Sequence, residues 1–257
     1  MLKRWLEHPL TRGLDIDDPR TTHLRQRIVR EKLFLRRIYK EWYRTLASSL
    51  PEGRGAVLEL GAGAGFLSEL VPGALRSEVF HTPGVDLVLD GLALPFGEGS
   101  LRGIAMTNVL HHLAHPLRFF ADAERCVRPG GVVVMIEPWV SRWSRLVYLG
   151  LHHEPFLPEA REWELLEGGP LSGANIALPW ILFVRDRERF EREAPGWRLR
   201  KIEPFMPFRY LAAGGISLRG LAPAASFPLW RALERALHPF RNHLAMFAHV
   251  VLERRPR

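Results

Sequence analysis

The apolar residues of this chain follow two patterns. Across THLRQRIVREKLFLRRIYKEWYRTLASSL, residues 22 to 50, Leu24, Ile28, Leu35, Ile38, Trp42 and Leu46 recur at helical spacing between arginines, which predicts an amphipathic helix. Pro51 and Gly53 stop it. The second pattern is one of short apolar runs. VLEL, from residue 57, has the length and composition of a buried parallel strand. Glycines at 61, 63 and 65 then make a tight turn into FLSELV, which can begin a helix. Pro129, Gly130 and Gly131 are expected to break a helix ahead of the run VVVMI. RDRERFEREA has the pattern of a helix, and WRLRKIE and LAMFAHVVLE have that of strands. A strand, a glycine turn and a helix N-terminus together bind nucleotide-like ligands beyond the carboxyl end of a sheet.

Spacing narrows the ligand. A dinucleotide fingerprint needs a glycine where Phe66 stands, and no Lys-Ser/Thr pair follows to make a phosphate-binding P-loop. The stretch is instead E-x-G-x-G-x-G, with Glu59 at the strand end. A carboxylate there suits a cationic ligand and opposes a pyrophosphate. The stretch resembles motif I of the class I methyltransferases that use S-adenosylmethionine, and the resemblance continues to about residue 140. LRSEVF is similar to the family's second strand, with Glu78 lying 17 residues beyond Gly61, near the roughly 20 expected for a ribose-binding acid. VDLVLDGLALPF is similar to the third-strand motif, LRGIAMTNVLHHL to the fourth strand and its outgoing turn, and RCVRPGGVVVMIEPWV to the helix, loop and fifth strand. Between Glu78 and Asp86 only VFHTPGV intervenes, too short for a crossover helix of about a dozen residues, so an irregular link is expected.

The resemblance implies a fold and a site. The fold is α/β, Rossmann-like and doubly wound: a seven-stranded, mostly parallel sheet with an antiparallel edge hairpin and a cap of helices and loops. Residues 1 to 50 would form a helical lid and residues 51 to 257 the methyltransferase domain, with insertions at about 138–180 and 204–242 building the substrate cap. For S-adenosylmethionine, the resemblance implies that Glu59, Gly61, Ala62, Gly63 and Gly65 hold the methionine end and Glu78 the ribose. Asp90, Gly91 and Leu92 would border the adenine, with Asn108 and Val109 at the cofactor's edge.

Composition sets bounds on the rest. With 257 residues and 47% apolar content, the chain can bury a core as one domain. WILFV and VVVMI are far shorter than a membrane span of roughly 18 apolar residues, and MLKRWLEHPLTRG lacks the apolar core of a secretory signal. The lone Cys126 excludes an internal disulfide and a cysteine-based zinc site, and is expected in the core. A cytoplasmic enzyme, with membrane association as a variant, is the expectation. The net charge of +8 divides as +6 over residues 1–50, −4 over 51–140 and +6 over 141–257. The basic flanks suit an anionic partner such as nucleic acid, an anionic lipid surface or a phosphorylated substrate; 32 of the 36 basic residues are arginine, however, and genome composition explains that equally well. The helix over 22–50 is expected to lid the cofactor in preference to lying on a membrane, although both uses share a basic amphipathic pattern.

The insertions indicate the acceptor. The first holds Trp139, Trp143, Tyr148, Phe156, Trp163 and Trp180, and the second, FMPFRYLAAGGISLRGLAPAASFPLW, is apolar and glycine-rich. Such walls suit a small or lipid-like molecule (a lipid, quinone, polyketide or aromatic metabolite) better than a nucleic-acid strand, which needs a basic groove. Methyl transfer to oxygen is the first expectation. Candidate catalytic residues are His111 and His112, after the fourth strand, and His152. His152, His153 and Glu154 do not repeat the i, i+4 spacing of a helical zinc motif, so no metal is expected. The rival readings are an RNA or other nucleic-acid methyltransferase and a non-catalytic binding member of the fold.

Overall fold

The computed structural model describes residues 7–256 apart from Thr11, Ala64, His153, Leu166 and Glu167. Seven strands form one sheet: β1 (Ala56–Leu60), β2 (Leu75–Glu78), β3 (Leu87–Val88), β4 (Leu101–Thr107), β5 (Val127–Pro138), β6 (Trp197–Phe205) and β7 (Phe247–Arg254). Their order is β3-β2-β1-β4-β5-β7-β6. β1 to β5 are parallel, and β7 runs antiparallel to both β5 and β6. This is the expected doubly wound sheet with its antiparallel edge. Burial follows position in the sheet. Val57, Leu58, Ile104, Ala105, Met106 and Val132 through Ile136 are all buried, as strands covered on both faces require. The edge strand β6 instead exposes Arg198, Arg200 and Lys201, charges that discourage pairing with another chain. Strand order reverses between β1 and β4, so a crevice opens beyond their carboxyl ends.

The helix expected over 22–50 is two helices, α1 (Pro19–Glu31) and α2 (Leu33–Ser49). No glycine or proline breaks it. Lys32 takes an extended conformation (φ −78°, ψ 91°) while its N–H still reaches the carbonyl of Ile28, and its ammonium donates to Gly215 O at 2.7 Å and Leu218 O at 2.8 Å. A tertiary contact has overridden helix propensity. Ile28, Leu35, Ile38, Trp42 and Leu46 are buried, so the apolar stripe faces the protein interior. Trp42 stacks on Tyr210 with ring centroids 5.5 Å apart. Among the described residues no helix is long and apolar enough to cross a membrane.

The segment FLSELV does not become an α-helix; only the 3₁₀ turn Leu67–Glu69 forms. Leu67 and Val71 are buried, and Pro72 and Gly73 end the turn before a longer helix can nucleate. The β2–β3 link is irregular, as its length requires. Asp86 clamps it by accepting from the Arg76 backbone at 2.9 Å and from its guanidinium at 3.0 Å. Pro129, Gly130 and Gly131 break no helix, because α3 (Pro116–Cys126) has already ended; they lie inside β5, opposite a register shift in β4. Cys126 is buried.

Candidate functional site

The turn after β1 is shaped by its backbone. Gly61 has φ +63°, and a Cβ there would stand 2.5 Å from Val109 Cγ2. Gly63 has φ +46°, and its N–H donates to Glu78 Oε1 at 2.5 Å. The second oxygen of Glu78 accepts from the Val79 N–H at 3.2 Å, so this buried carboxylate ties the tip of β2 to the glycine turn. Above the turn, Gln26 of α1 donates to Gly63 O at 2.6 Å. Below it, Glu59 is buried and hydrogen-bonded to the Tyr43 hydroxyl of α2. Burial pushes the Glu59 carboxyl up to about 8, against the opposing hydrogen bond from Tyr43.

A cavity of about 530 Å³ begins at this turn and runs under the cap, within the size range of small-molecule sites. Gly61, Ala62, Gly63, Glu78, Asp90, Gly91, Leu92, Asn108 and Val109 line one end. Asp90 turns the chain by accepting from the Leu92 N–H at 2.8 Å. Asn108 holds φ +56°, an uncommon conformation for a residue with a side chain. Val147, Leu151, Leu211, Ile216, Leu218 and Phe247 form the apolar far end, with Tyr39, Tyr148 and Tyr210 on the walls. Those apolar groups come from both insertions and from β7. His111, His112, His152 and Glu154 line the same cavity.

A 3₁₀ turn, Leu110–His112, follows β4 and aims both histidine rings at one place, with centroids 4.2 Å apart. His111 Nδ1 meets Glu137 Oε2 at 2.7 Å. The other oxygen of Glu137 accepts from the N–H groups of Val109 and Leu110 at 2.7 and 2.9 Å. His111 Nε2 lies 3.5 Å from Glu154 Oε2, and His112 Nε2 lies 3.9 Å from Glu154 Oε1. Burial alone would lower the His111 pKa, but the charge of Glu137, supported by Glu154, overrides it and holds the imidazolium up to about 9. His112 goes the other way, down to about 3, through burial and the neighbouring His111 charge. Despite its burial, Glu154 is held well below the usual carboxylate range by the histidines around it.

The structure thus brings nearly all the anticipated residues to one cavity. Glu59 and Gly65 are the exceptions, since they lie outside its lining. A Cβ on Gly65 would stand 2.4 Å from both Ala62 O and Glu59 Oε1, so this glycine lets the turn close over Glu59. His153 falls outside the described residues. Most insertion aromatics are core: Trp139, Phe156 and Trp163 are buried without lining the cavity, and of the six only Tyr148 reaches it. Sequence reasoning passed over Glu137, Tyr43, Arg25 and Tyr210. The acid in VVVMIEP had a readable signal, a lone charge ending an otherwise apolar strand.

The lining fits S-adenosylmethionine. Among the described residues it carries Glu78, Asp90 and Glu154 against a single arginine or lysine, Arg25, which suits a cation and disfavours a pyrophosphate. Thr107 Oγ1 and Asn108 Oδ1 are buried without a hydrogen-bond partner and belong to cavity-lining residues, as expected of groups that await a polar ligand. Comparison with known proteins agrees. The profile of a methyltransferase domain matches residues 29–193. The fold is similar to geranyl diphosphate C-methyltransferase from Streptomyces coelicolor A3(2), solved with Mg2+, geranyl diphosphate and S-adenosyl-L-homocysteine (TM-score 0.53, 13% identity, 97% of this chain and 90% of that one). It is also similar to a chain in the complex of the Haloferax volcanii Trm112 methyltransferase activator with a putative methyltransferase (TM-score 0.51, 13% identity, 84% and 91% covered). A 68-residue stretch is 38% identical to an uncharacterised 37.1 kDa protein in transposon TN4556 of Streptomyces fradiae, covering 26% of this chain and 20% of that protein. The chain belongs to the methyltransferase-domain family, whose cofactor is S-adenosylmethionine.

Proposed function

We propose that the chain methylates an oxygen of a small apolar or amphipathic molecule held beneath the cap. One observation carries this reading: a single cavity joins the glycine turn to an apolar chamber, with the polar group of His111, His112 and Glu154 in the same walls. S-adenosylmethionine supplies an electrophilic methyl on a sulfonium that leaves as a neutral thioether. Because the leaving group is neutral, the protein's main tasks are alignment and exclusion of water. Gly61, Ala62 and Gly63 would hold the methionine end, with Glu59 and Gly65 shaping the turn from below. Glu78 would take the ribose, Asp90, Gly91 and Leu92 would border the adenine, and Asn108 and Val109 would close the edge.

At the acceptor, Glu154 would accept a hydrogen bond from the hydroxyl and orient it. The proton would pass to solvent as the new C–O bond forms, because a carboxyl held below the usual range does not keep it. The His111 imidazolium, fixed by Glu137, would stabilise the negative charge developing on that oxygen. His152 Nδ1 accepts from the Glu154 backbone N–H at 3.2 Å and would hold that residue in place. A nucleic-acid acceptor is disfavoured, since among the described residues Arg25 is the only arginine or lysine in the lining.

The test has two stages. Calorimetric titration with S-adenosylhomocysteine should show micromolar binding that Asp90→Ala and Glu78→Gln weaken by about tenfold, roughly 1.4 kcal/mol. A mass-spectrometric screen of phenols, quinols and hydroxylated lipids should then yield a methyl ether. Methylation of RNA alone would overturn the acceptor class, and absent cofactor binding would withdraw the reaction.

A further inference from the structure

His111, His112 and Glu154 each offer one donor atom within 4.8 Å of the other two. Their hydrogen bonds fix which atoms those are. A backbone carbonyl only accepts, so the contact of His112 Nδ1 with Gly173 O at 3.2 Å places the proton on Nδ1 and leaves a lone pair on Nε2. On His111, the Glu137 carboxylate likewise holds a proton on Nδ1. Both Nε2 atoms then face the oxygens of Glu154, at 3.5 and 3.9 Å. Two lone pairs and a carboxylate converging in a largely buried corner require a positive charge among them. A single proton on His111 Nε2 serves one of the two contacts and leaves His112 Nε2 facing Glu154 Oε1.

We propose that His111, His112 and Glu154 bind one divalent transition-metal ion of the zinc class. Donors about 2.0–2.2 Å from a tetrahedral ion stand roughly 3.3–3.6 Å apart. The two nitrogens lie 3.5 and 3.9 Å from different oxygens of Glu154 and all three donors within 4.8 Å of one another, so the ligands would draw together by about an ångström on binding. The supporting contacts are those of a metal site: each ligating imidazole donates its other N–H to a carboxylate or a carbonyl, and that carboxylate is itself anchored by two backbone N–H groups. Two imidazoles with one carboxylate select zinc and its neighbours over magnesium or calcium, which prefer all-oxygen shells. All three ligands line the cavity, so a remaining coordination position opens towards the acceptor chamber. The ion would take the place of the proton between His111 Nε2 and Glu154, so the roles proposed above for those two side chains belong to the metal-free chain, while the cofactor end of the cavity is the same in both.

The experiment uses the full-length chain freed of any affinity tag and dialysed against buffered Zn2+. One ion per chain should be retained. Co2+ should produce the visible absorption of a four- or five-coordinate site, and Zn2+, unlike Mg2+, should raise the melting temperature. His112→Ala and Glu154→Gln should each weaken binding at least about 100-fold, and Glu137→Gln about 10- to 100-fold through loss of ligand orientation. Cooperative melting and unchanged far-ultraviolet circular dichroism would show that the variants fold. Wild-type retention of Zn2+ no greater than that of folded His112→Ala would overturn the proposal. Because S-adenosylhomocysteine binding is measured on the same samples, that failure would leave the methyl-transfer reading untouched, and loss of cofactor binding would leave the metal site untouched.

Discussion

The two ends of the cavity are built by different means. At the glycine-turn end the main chain does most of the positioning: Gly61, Gly63 and Asn108 hold positive φ, and Glu78, Asp90 and Glu137 accept from nearby backbone N–H groups. At the cap end, long side chains connect segments far apart in sequence. Lys32 reaches the carbonyls of residues 215 and 218, Trp42 stacks on Tyr210, and Arg209 bridges Glu41 and Glu234. A backbone-built site restricts residue type at fixed spacing, because few residues tolerate its conformations. A side-chain-built cap can be held by many alternative pairs, so its sequence is free to vary with the acceptor. Perturbing each end separately should reveal this division.

The largest effect is expected in the cap. The Arg209 side chain is only 8% exposed, that of Glu234 7% and that of Glu41 23%. Arg209→Met leaves Glu234 buried without a cation, held only by the N–H groups of residues 208 and 209, while Glu41 keeps Arg231 at 3.2 Å; breaking a buried pair of this kind costs about 3–5 kcal/mol. The melting temperature should fall by about 10 °C for a chain of this size, while S-adenosylhomocysteine affinity stays within about twofold of wild type. An equal loss of cofactor affinity in calorimetry would mean that the two ends are not separable.

Next comes a pH effect beneath the glycine turn. Glu59 has its carboxyl raised from 4.5 to about 8, chiefly by burial. The folded state therefore binds more protons than the unfolded state between those values. Stability is full below pH 4.5 and is lost as pH rises towards 8, by on the order of 3 kcal/mol between pH 5 and 8. Glu59→Gln keeps an acceptor for the Tyr43 hydroxyl and cannot ionise. Urea midpoints measured across this range should slope downward more steeply in wild type than in the variant, whose remaining pH dependence comes from His111 and His112; identical slopes would place the ionising group elsewhere.

Third, the turn itself. Gly61→Val puts a branched side chain at φ +63° and against Val109. Strain of about 1–3 kcal/mol should distort the turn and weaken S-adenosylhomocysteine binding by about 100-fold, roughly 2.7 kcal/mol. The Arg209 network should survive, so thermal stability should drop less than in Arg209→Met. Intact affinity in Gly61→Val would remove the turn from the cofactor site.

This division explains what the sequence disclosed. Spacing brought Gly61, Gly63, Glu78 and Asp90 to one cavity because a backbone-built site leaves a spaced motif, although Glu59 and Gly65 fall beneath the turn and outside the lining; the sheet was legible because buried strands leave apolar runs. The break at Lys32 could not be foreseen, since its cause lies at residues 215 and 218, almost two hundred positions away. Aromatic content was a poor guide to the pocket: Trp163 packs under Arg189, 4.1 Å from the ring, and donates to Asp186 at 2.9 Å, whereas Tyr39 and Tyr43 reach the cavity from α2. Adjacency in HHL did not reveal that a 3₁₀ turn would direct both rings at Glu154. The whole of the second insertion lies beyond residue 193, where the family profile ends, as expected of a segment that specialises.

The smallest expected effect isolates that segment. Lys32 donates to two carbonyls of the loop that lines the cavity with Gly214, Gly215 and Ile216, where the acceptor is proposed to sit. Lys32→Met preserves the packed stem and removes both hydrogen bonds, which should loosen the loop by about 1 kcal/mol net. The KM for the acceptor should rise roughly fivefold while kcat and S-adenosylhomocysteine affinity hold, because neither the glycine turn nor the His111 cluster touches this lysine. Burial lowers the Lys32 pKa to about 8, so in wild type the charged donor is lost as pH rises through that value and KM should climb. In Lys32→Met the rise should be absent. A KM that climbs identically in both proteins would show that the cap is held by other contacts and that its specificity does not pass through α1 and α2.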